Sequence, residues 1–410
     1  MPYYNAIVGQ SGGPTAAINA TLSGILRGAA EAVRSHRLGQ IFGMLNGVEG
    51  LLADRLTDLT SLSANNGRLR VLEQTPAAAL GSCRRRLPDP AEDEEPYRRI
   101  LEVLASHNIR YFYYIGGNDS MDTVLRLSRY VRARNYALTV VGVPKTIDND
   151  LEGTDHTPGY GSAAKYIATT MQEILRDTAV YTTPAVTVVE IMGRDAGWLT
   201  AAAALPRGVN GVGPDLVCLP ERPFSTEAFF AAVEKAWQIH PGVVVAVSEG
   251  LRTEDGRYVG EGAQSGVTDV FGHRYLAGTG RYLEQALRQR FGCKVRSVEL
   301  NLPQRCAAHL ASATDLSESV RIGRAAVKAG FRKGNGCMMA FSRREGRYAV
   351  DVVSRPVEEV ANKVRRVPDA FITPDGMNVT DACVQTLLPL IRGERKLVMK
   401  DGLPLHLLLH

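Results

Sequence analysis

Short apolar runs rich in β-branched residues alternate along this chain with amphipathic stretches, and a polar or glycine-containing cluster follows nearly every run. Ala6-Ile7-Val8 is the first run and predicts a strand. Gly9 to Pro14 reads as a turn, and Thr15 is placed to cap a helix carrying Ile18, Leu22, Ile25 and Leu26 on one face. The plan repeats with a strand over Tyr111 to Ile115, a turn over Gly116 to Ser120 and a helix over Met121 to Arg134. Further strands are predicted at Leu138 to Val143, Val186 to Ile191, Asp215 to Leu219 and Gly242 to Val247. Strands and helices in alternation, without hairpin signals between them, predict parallel sheets of the doubly wound type. Ligands of such sheets bind beyond the carboxyl ends of the strands, where these polar clusters fall.

The 410 residues exceed one ordinary core, and two domains are expected at roughly 100–200 residues each. With 45% hydrophobic and 22% charged residues, the chain is neither a disordered polyelectrolyte nor collagen-like. Forty-eight basic against 43 acidic residues leave a diffuse +5, which does not predict nucleic-acid binding. The six cysteines are scattered, so a zinc site or disulfide framework is not expected. No signal-peptide pattern or membrane-length apolar stretch is read, and a cytoplasmic protein with no membrane partner is expected. The acidic stretch Pro88 to Pro96 reads as a solvated loop and helix start, and Thr253 to Gly262 and the segment after Arg392 as surface or terminal elaboration.

Gly12-Gly13, between a strand and a helix, allows backbone to approach a phosphate near free helix N–H groups; a ligandless βα turn needs the same residues. No GK[ST] follows, which excludes a Walker A loop. In Gly116-Gly117-Asn118-Asp119-Ser120, two glycines precede an amide and a carboxylate; a phosphate and cation site or a helix cap by Asp119 or Ser120 fits. Pro144-Lys145-Thr146-Ile147-Asp148-Asn149-Asp150 carries more chemistry than a turn requires. Acids beside a lysine at a strand tip suit hydroxyl activation and phosphate neutralisation. Met192-Gly193-Arg194, Glu249, Arg296 and Gln304-Arg305 are unremarkable one by one.

Taken together and in this order, these clusters resemble the phosphofructokinase family over most of the chain, with Thr146 to Asp150 and Met192 to Arg194 the most specific pair. The resemblance implies an α/β fold of two doubly wound, Rossmann-like α/β/α domains with the active site in the cleft between them. Residues 1–155 plus 303–350 are expected to hold the phosphoryl donor and Mg²⁺, and 156–302 plus 351–410 the sugar phosphate. It implies phosphoryl transfer to the 1-hydroxyl of fructose 6-phosphate, with Asp148 as general base. Thr146, Ile147, Asp150, Met192, Gly193, Arg194, Glu249 and Arg305 would hold the sugar phosphate. Arg296 would reach across a subunit interface of a homo-oligomer, either dimer or tetramer. Gly12, Gly13, Arg84 and Gly117 would contact the donor.

By the same resemblance, Asp119 and Lys145 stand where ATP-using relatives carry glycine, and they imply pyrophosphate as donor. A carboxylate about 4 Å from the α-phosphate of ATP repels it by roughly 4 kcal/mol at an effective dielectric near 20, close to a thousandfold. Lys145 would add positive charge to an anionic transition state. The family's metal-linked aspartate is Asn118 here, with Asp119 and Asp148 as further candidates. Thr183-Pro184-Ala185 lacks an arginine found in many relatives, and Leu302 replaces a histidine or tyrosine. An ATP-dependent enzyme and a non-catalytic regulatory subunit are the alternatives within the same fold.

Overall fold

The computed structural model describes residues 3–261, 278–332 and 335–409. In chain order its principal strands are β1 (Asn5–Gln10), β2 (Ile41–Met44), β3 (Leu56–Asp58), β4 (Ile109–Gly116) and β5 (Thr139–Pro144). There follow β6 (Ala185–Ile191), β7 (Leu216–Cys218), β8 (Gly242–Ser248), β9 (Lys294–Glu299), β10 (Cys337–Arg343) and β11 (Val350–Pro356). Four helices matter most for the site: α1 (Ile18–Arg34), α2 (Asn118–Ala133), α3 (Tyr160–Thr178) and α4 (Ala313–Gly330).

One sheet has the order β11-β10-β5-β4-β1-β2-β3, and a second the order β7-β8-β6-β9. The second is wholly parallel, and so is the centre of the first. Both faces of each sheet are covered, which is why runs such as Val243 to Val247 are buried throughout. The first sheet ends in antiparallel pairs, β2–β3 and β10–β11, that the expectation of purely parallel sheets omitted. The strand order reverses about β1, so the tips of β1, β4 and β5 border one crevice.

Three local expectations are corrected. Thr15 does not cap α1, because its hydroxyl accepts from Ala17 N–H at 3.2 Å, one residue before the helix begins. Helix α2 begins at Asn118 rather than Met121, after an extended Gly117, and neither Asp119 nor Ser120 caps it. The domain boundary drawn at 350 cuts the β10–β11 hairpin, whose strands pair from Cys337–Pro356 to Arg343–Val350. The segment after Arg392 is also more than loose elaboration. Gln74 accepts from Val398 N–H and donates to Val398 O and Leu405 O, while Arg395 pairs with the buried Glu73. Of the other stretch, Thr253 to Glu261 forms a surface loop, and Gly262 lies outside the described residues.

Buried polar groups of α4 join the lobes. Asp315 accepts from Gly159 N–H, Ser162 N–H and the Ser162 hydroxyl, at 2.9, 2.9 and 2.5 Å, and so caps α3 from outside it. His156 lies between Asp155 and Glu318, both at 2.8 Å, and stacks on Phe341. Asp155 also receives Arg343 at 2.8 Å. Burial pulls His156 toward neutrality, but hydrogen bonds to both carboxylates prevail and raise it above 6.5. Burial likewise opposes the Asp155 charge, and His156 and Arg343 prevail, lowering it to about 2.

The signs fix a pH dependence. The contribution of His156 is complete below 6.5 and fades as pH climbs through its raised folded value. That of Asp155 persists above 3.8 and is lost only as pH falls toward about 2. His156→Gln should cost about 3 kcal/mol by leaving the buried Glu318 without its cation, while Asp155 keeps Arg343. Urea melts should show the wild-type midpoint falling from pH 7 to 9 more steeply than that of the variant; parallel slopes would contradict a charged His156.

Candidate active site

The tips of β1, β4, β5, β6 and β8 converge on one cleft of about 400 Å³. Every residue proposed from sequence lines it except Gly193, which lies just behind, and Arg296. Arg296 is exposed on β9 beside Lys294 and Tyr181, away from the cleft of its own chain.

The first wall is the glycine turn. Gly12 has φ +76°, and a Cβ there would stand 3.3 Å from Lys145 Nζ. Only glycine adopts that conformation cheaply while leaving the amine its place. Lys145 is 2% exposed; its backbone N–H reaches Gly116 O at 2.9 Å and its ammonium reaches Gly13 O at 2.6 Å. Its side chain therefore runs beneath the β1 turn and joins the tips of three strands. A Cβ on Gly13 would lie 3.9 Å from an Arg305 nitrogen, so the two sheets' loops meet here.

The turn after β5 presents its carboxylates by means of Asn149. That residue takes φ +56°, buries its side chain and accepts from Thr157 N–H at 3.0 Å. Thr146 caps the turn from its start: its hydroxyl accepts from Asp148 N–H at 3.1 Å and faces an Asp148 carboxylate oxygen at 3.3 Å. Arg365 holds the far side, donating from its backbone N–H to Asp150 O at 2.7 Å and from its guanidinium to Asn149 O. Asp148 and Asp150 are left facing the cleft.

The second sheet supplies the opposite wall. Gly193, at φ +127°, donates its N–H to Glu249 at 3.1 Å, and its carbonyl accepts from the Ser248 hydroxyl at 2.6 Å. This turn sends Arg194 into the cleft, where it pairs with Asp195 at 2.8 Å. Gln304, 2% exposed, accepts from Met192 N–H at 3.3 Å. Its neighbour Arg305 reaches the cleft from the short helix Pro303–Cys306.

Charge is concentrated here despite the small net charge of the chain. Lys145, Arg84, Arg85, Arg86, Arg194 and Arg305 face Asp119, Asp148, Asp150, Asp195 and Glu249. Burial lowers Lys145 to about 8, partly offset by Asp148. Burial raises Asp148, and it raises Asp150 with help from the neighbouring Asp148 charge. Glu249 is pushed up to about 8, again mainly by burial. Such a site offers a proton acceptor of raised basicity beside cations suited to an anionic ligand.

Sequence reasoning passed over Arg85, Arg86, Asp195 and Asn362, all of which line the cleft. Arg86 pairs with Asp119 at 2.5 Å in a partly exposed bridge. The bare-charge repulsion ascribed to Asp119 is therefore reduced, because a cation already shares its field. Three consecutive arginines in a loop were a visible signal for Arg86. Asn362 had none, since it arrives from 244 residues beyond Asn118. Asn118 itself accepts from Asn362 N–H at 2.7 Å and donates to Lys363 O at 2.8 Å.

A family model described as phosphofructokinase matches residues 5–330. A protein of Halomonas elongata named pyrophosphate–fructose 6-phosphate 1-phosphotransferase is 41% identical, covering 98% of this chain and 96% of its own. One of the same name from Xanthomonas campestris is 40% identical, covering 98% and 94%. A crystal structure of pyrophosphate-dependent phosphofructokinase from Nitrosospira multiformis superposes with TM-score 0.89 at 34% identity, covering 99% and 96%.

The lysine pKa gives a direct check of this site without any ligand. Lys145 should titrate near 8 by side-chain NMR, well under the usual 10.5. Asp148→Asn removes a charge that raises it, so the midpoint should fall further; an unchanged midpoint would show that the Asp148 charge does not act on the lysine.

Proposed function

The chain belongs to the phosphofructokinase family, and from that premise we propose that it transfers a phosphoryl group from pyrophosphate to the 1-hydroxyl of fructose 6-phosphate, reversibly. The products are fructose 1,6-bisphosphate and phosphate. The observation that carries this reading is that buried Lys145 and half-buried Asp148 line one cleft together with Asp119, Arg194 and Arg305.

Asp148 accepts the proton of the sugar hydroxyl as the hydroxyl attacks, and its raised pKa suits that task. Lys145 and Arg84 neutralise the phosphoryl group in transit, which spreads negative charge over its oxygens. Gly12, Gly13 and Gly117 bring backbone close to the donor. Thr146, Ile147, Asp150, Met192, Gly193, Arg194, Glu249 and Arg305 form the sugar-phosphate end. At neutral pH Glu249 is largely protonated and able to donate to a hydroxyl. Arg296 belongs to a site shared with another copy in a homo-oligomer, since it is exposed and remote from the cleft of its own chain.

Relatives of this kind work with a divalent cation, and Mg²⁺ is proposed. Among the described residues no group of three or more His, Cys, Asp or Glu forms a metal cage. The carboxylates that line the cleft, Asp119 and Asp148 among them, fit Mg²⁺, which retains waters and binds through one or two carboxylates plus phosphate oxygens. Asp119 and Asp148 would offer the hard oxygens, and the cation would screen the charge of the phosphates. Among the described residues no helix is long and apolar enough to cross a membrane, and a cytoplasmic enzyme is proposed.

A side-by-side assay with pyrophosphate and ATP, with and without Mg²⁺, tests the donor. Turnover with pyrophosphate and little with ATP is expected, and the reverse result would overturn the reading. Asp148→Ser should lower kcat by about 10²–10⁴-fold. Full activity in that variant would remove Asp148 from the mechanism. The double change Asp119→Gly, Lys145→Gly should raise ATP use relative to pyrophosphate.

A further inference from the structure

Residue 118 is the position at which the family resemblance leads one to expect a metal-linked aspartate, and here it is asparagine. The structure supplies a reason. The carboxamide oxygen of Asn118 accepts from Asn362 N–H at 2.7 Å, and its amino group donates to Lys363 O at 2.8 Å. Both halves of the amide are used, on two consecutive residues of a segment far away in sequence. An aspartate could accept the first bond but would set a carboxylate oxygen against the Lys363 carbonyl.

The segment so held is a strap across the cleft. Asn362, at φ +62°, sends its own amide to Asp122 Oδ1 at 2.9 Å, on the next turn of α2. Asp122 is 5% exposed and fixed by Arg126 at 2.7 Å. At its other end, Arg365 is pinned to the carbonyls of Asn149, Thr154 and Asp155, and its own carbonyl accepts from the Trp198 indole at 3.0 Å. Val364 bridges to Leu151 between the two anchors. The strap thus spans from the donor-side helix to the turn bearing Asp148 and Asp150, and Asn362 and Val364 line the cleft on the way.

We propose that Asn118 is a positioning residue that latches the 362–365 strap, fixing the donor end of the cleft against the catalytic turn, and that it is not a metal contact. The functional part of this proposal rests on the reaction assigned above. The structural part does not, because the latch exists without any substrate. Asn118→Asp and Asn118→Ala separate the two roles, the second removing the amide without adding charge.

Hydrogen exchange on the ligand-free full-length protein should show the Asn362 amide protected in wild type and faster by about tenfold or more in Asn118→Ala, as for loss of about 1.4 kcal/mol, whereas Asn118→Asp keeps an acceptor for that amide and loses only the Lys363 bond. In turnover, both variants should raise the KM for pyrophosphate about tenfold, with the KM for fructose 6-phosphate and the Mg²⁺ concentration giving half activity little changed. Unchanged exchange at Asn362 in Asn118→Ala would overturn the latch. A Mg²⁺ requirement relaxed in Asn118→Asp and tightened in Asn118→Ala would overturn the statement that residue 118 does not contact the metal. If neither donor supports turnover, the reaction assignment fails and the exchange result still decides the latch.

Discussion

The cleft depends on one costly placement, an ammonium group buried beneath the first glycine turn. A lysine with 2% exposure loses most of its hydration, and nothing but nearby oxygen and negative charge keeps it useful. Gly13 O supplies the oxygen at 2.6 Å, and Asp148 supplies the charge. Each requirement propagates outward. The turn must pass over the amine, so residue 12 takes a left-handed φ with no Cβ. The carboxylate must face the same space, so Asn149 turns left-handed behind it and Arg365 holds the turn from the rear. The lobes must meet there, which the Asp315 and His156 contacts arrange.

Much of this was legible in the sequence, for a physical reason. Residues within one strand-tip cluster are neighbours in the chain, so Gly12-Gly13, Gly116 to Asp119, Lys145 to Asp150 and Met192 to Arg194 could each be read as a unit. The doubly wound rule then gathered the units on one side of each sheet. What escaped was long-range. The antiparallel partner of β10 and the strap at Asn362 are set by pairings that no local period encodes. The start of α2 was misplaced because Gly117 and Asn118 look like turn residues. Their polar groups serve the strap and the cleft rather than a helix cap.

Charge shows the same division between local and assembled information. A net +5 over 410 residues gave no hint of a cleft in which cations and acids crowd together. The opposing charges nearly cancel along the chain, while the fold concentrates both signs at one place. Within it, burial moves Lys145 down and Asp148, Asp150 and Glu249 up, so the groups draw toward neutral pH from both sides.

On the proposed reading of the donor, the Arg86–Asp119 pair alters what the carboxylate would do. A lone carboxylate would repel every phosphate that approached, pyrophosphate included, and selection by repulsion alone would weaken both donors. With Arg86 at 2.5 Å, Asp119 belongs to a dipole whose positive end can serve a compact donor. A donor extending past Asp119 would have to displace the arginine or bring its own charge against the carboxylate. Because the pair is partly exposed, solvent screens the repulsive term below the bare-charge figure of roughly 4 kcal/mol. On that reading, selectivity would draw on charge and enclosure together. On the proposed reading the 362–365 segment would add the enclosure, since it runs past Asn118, next to Asp119, and ends on the turn that carries Asp148.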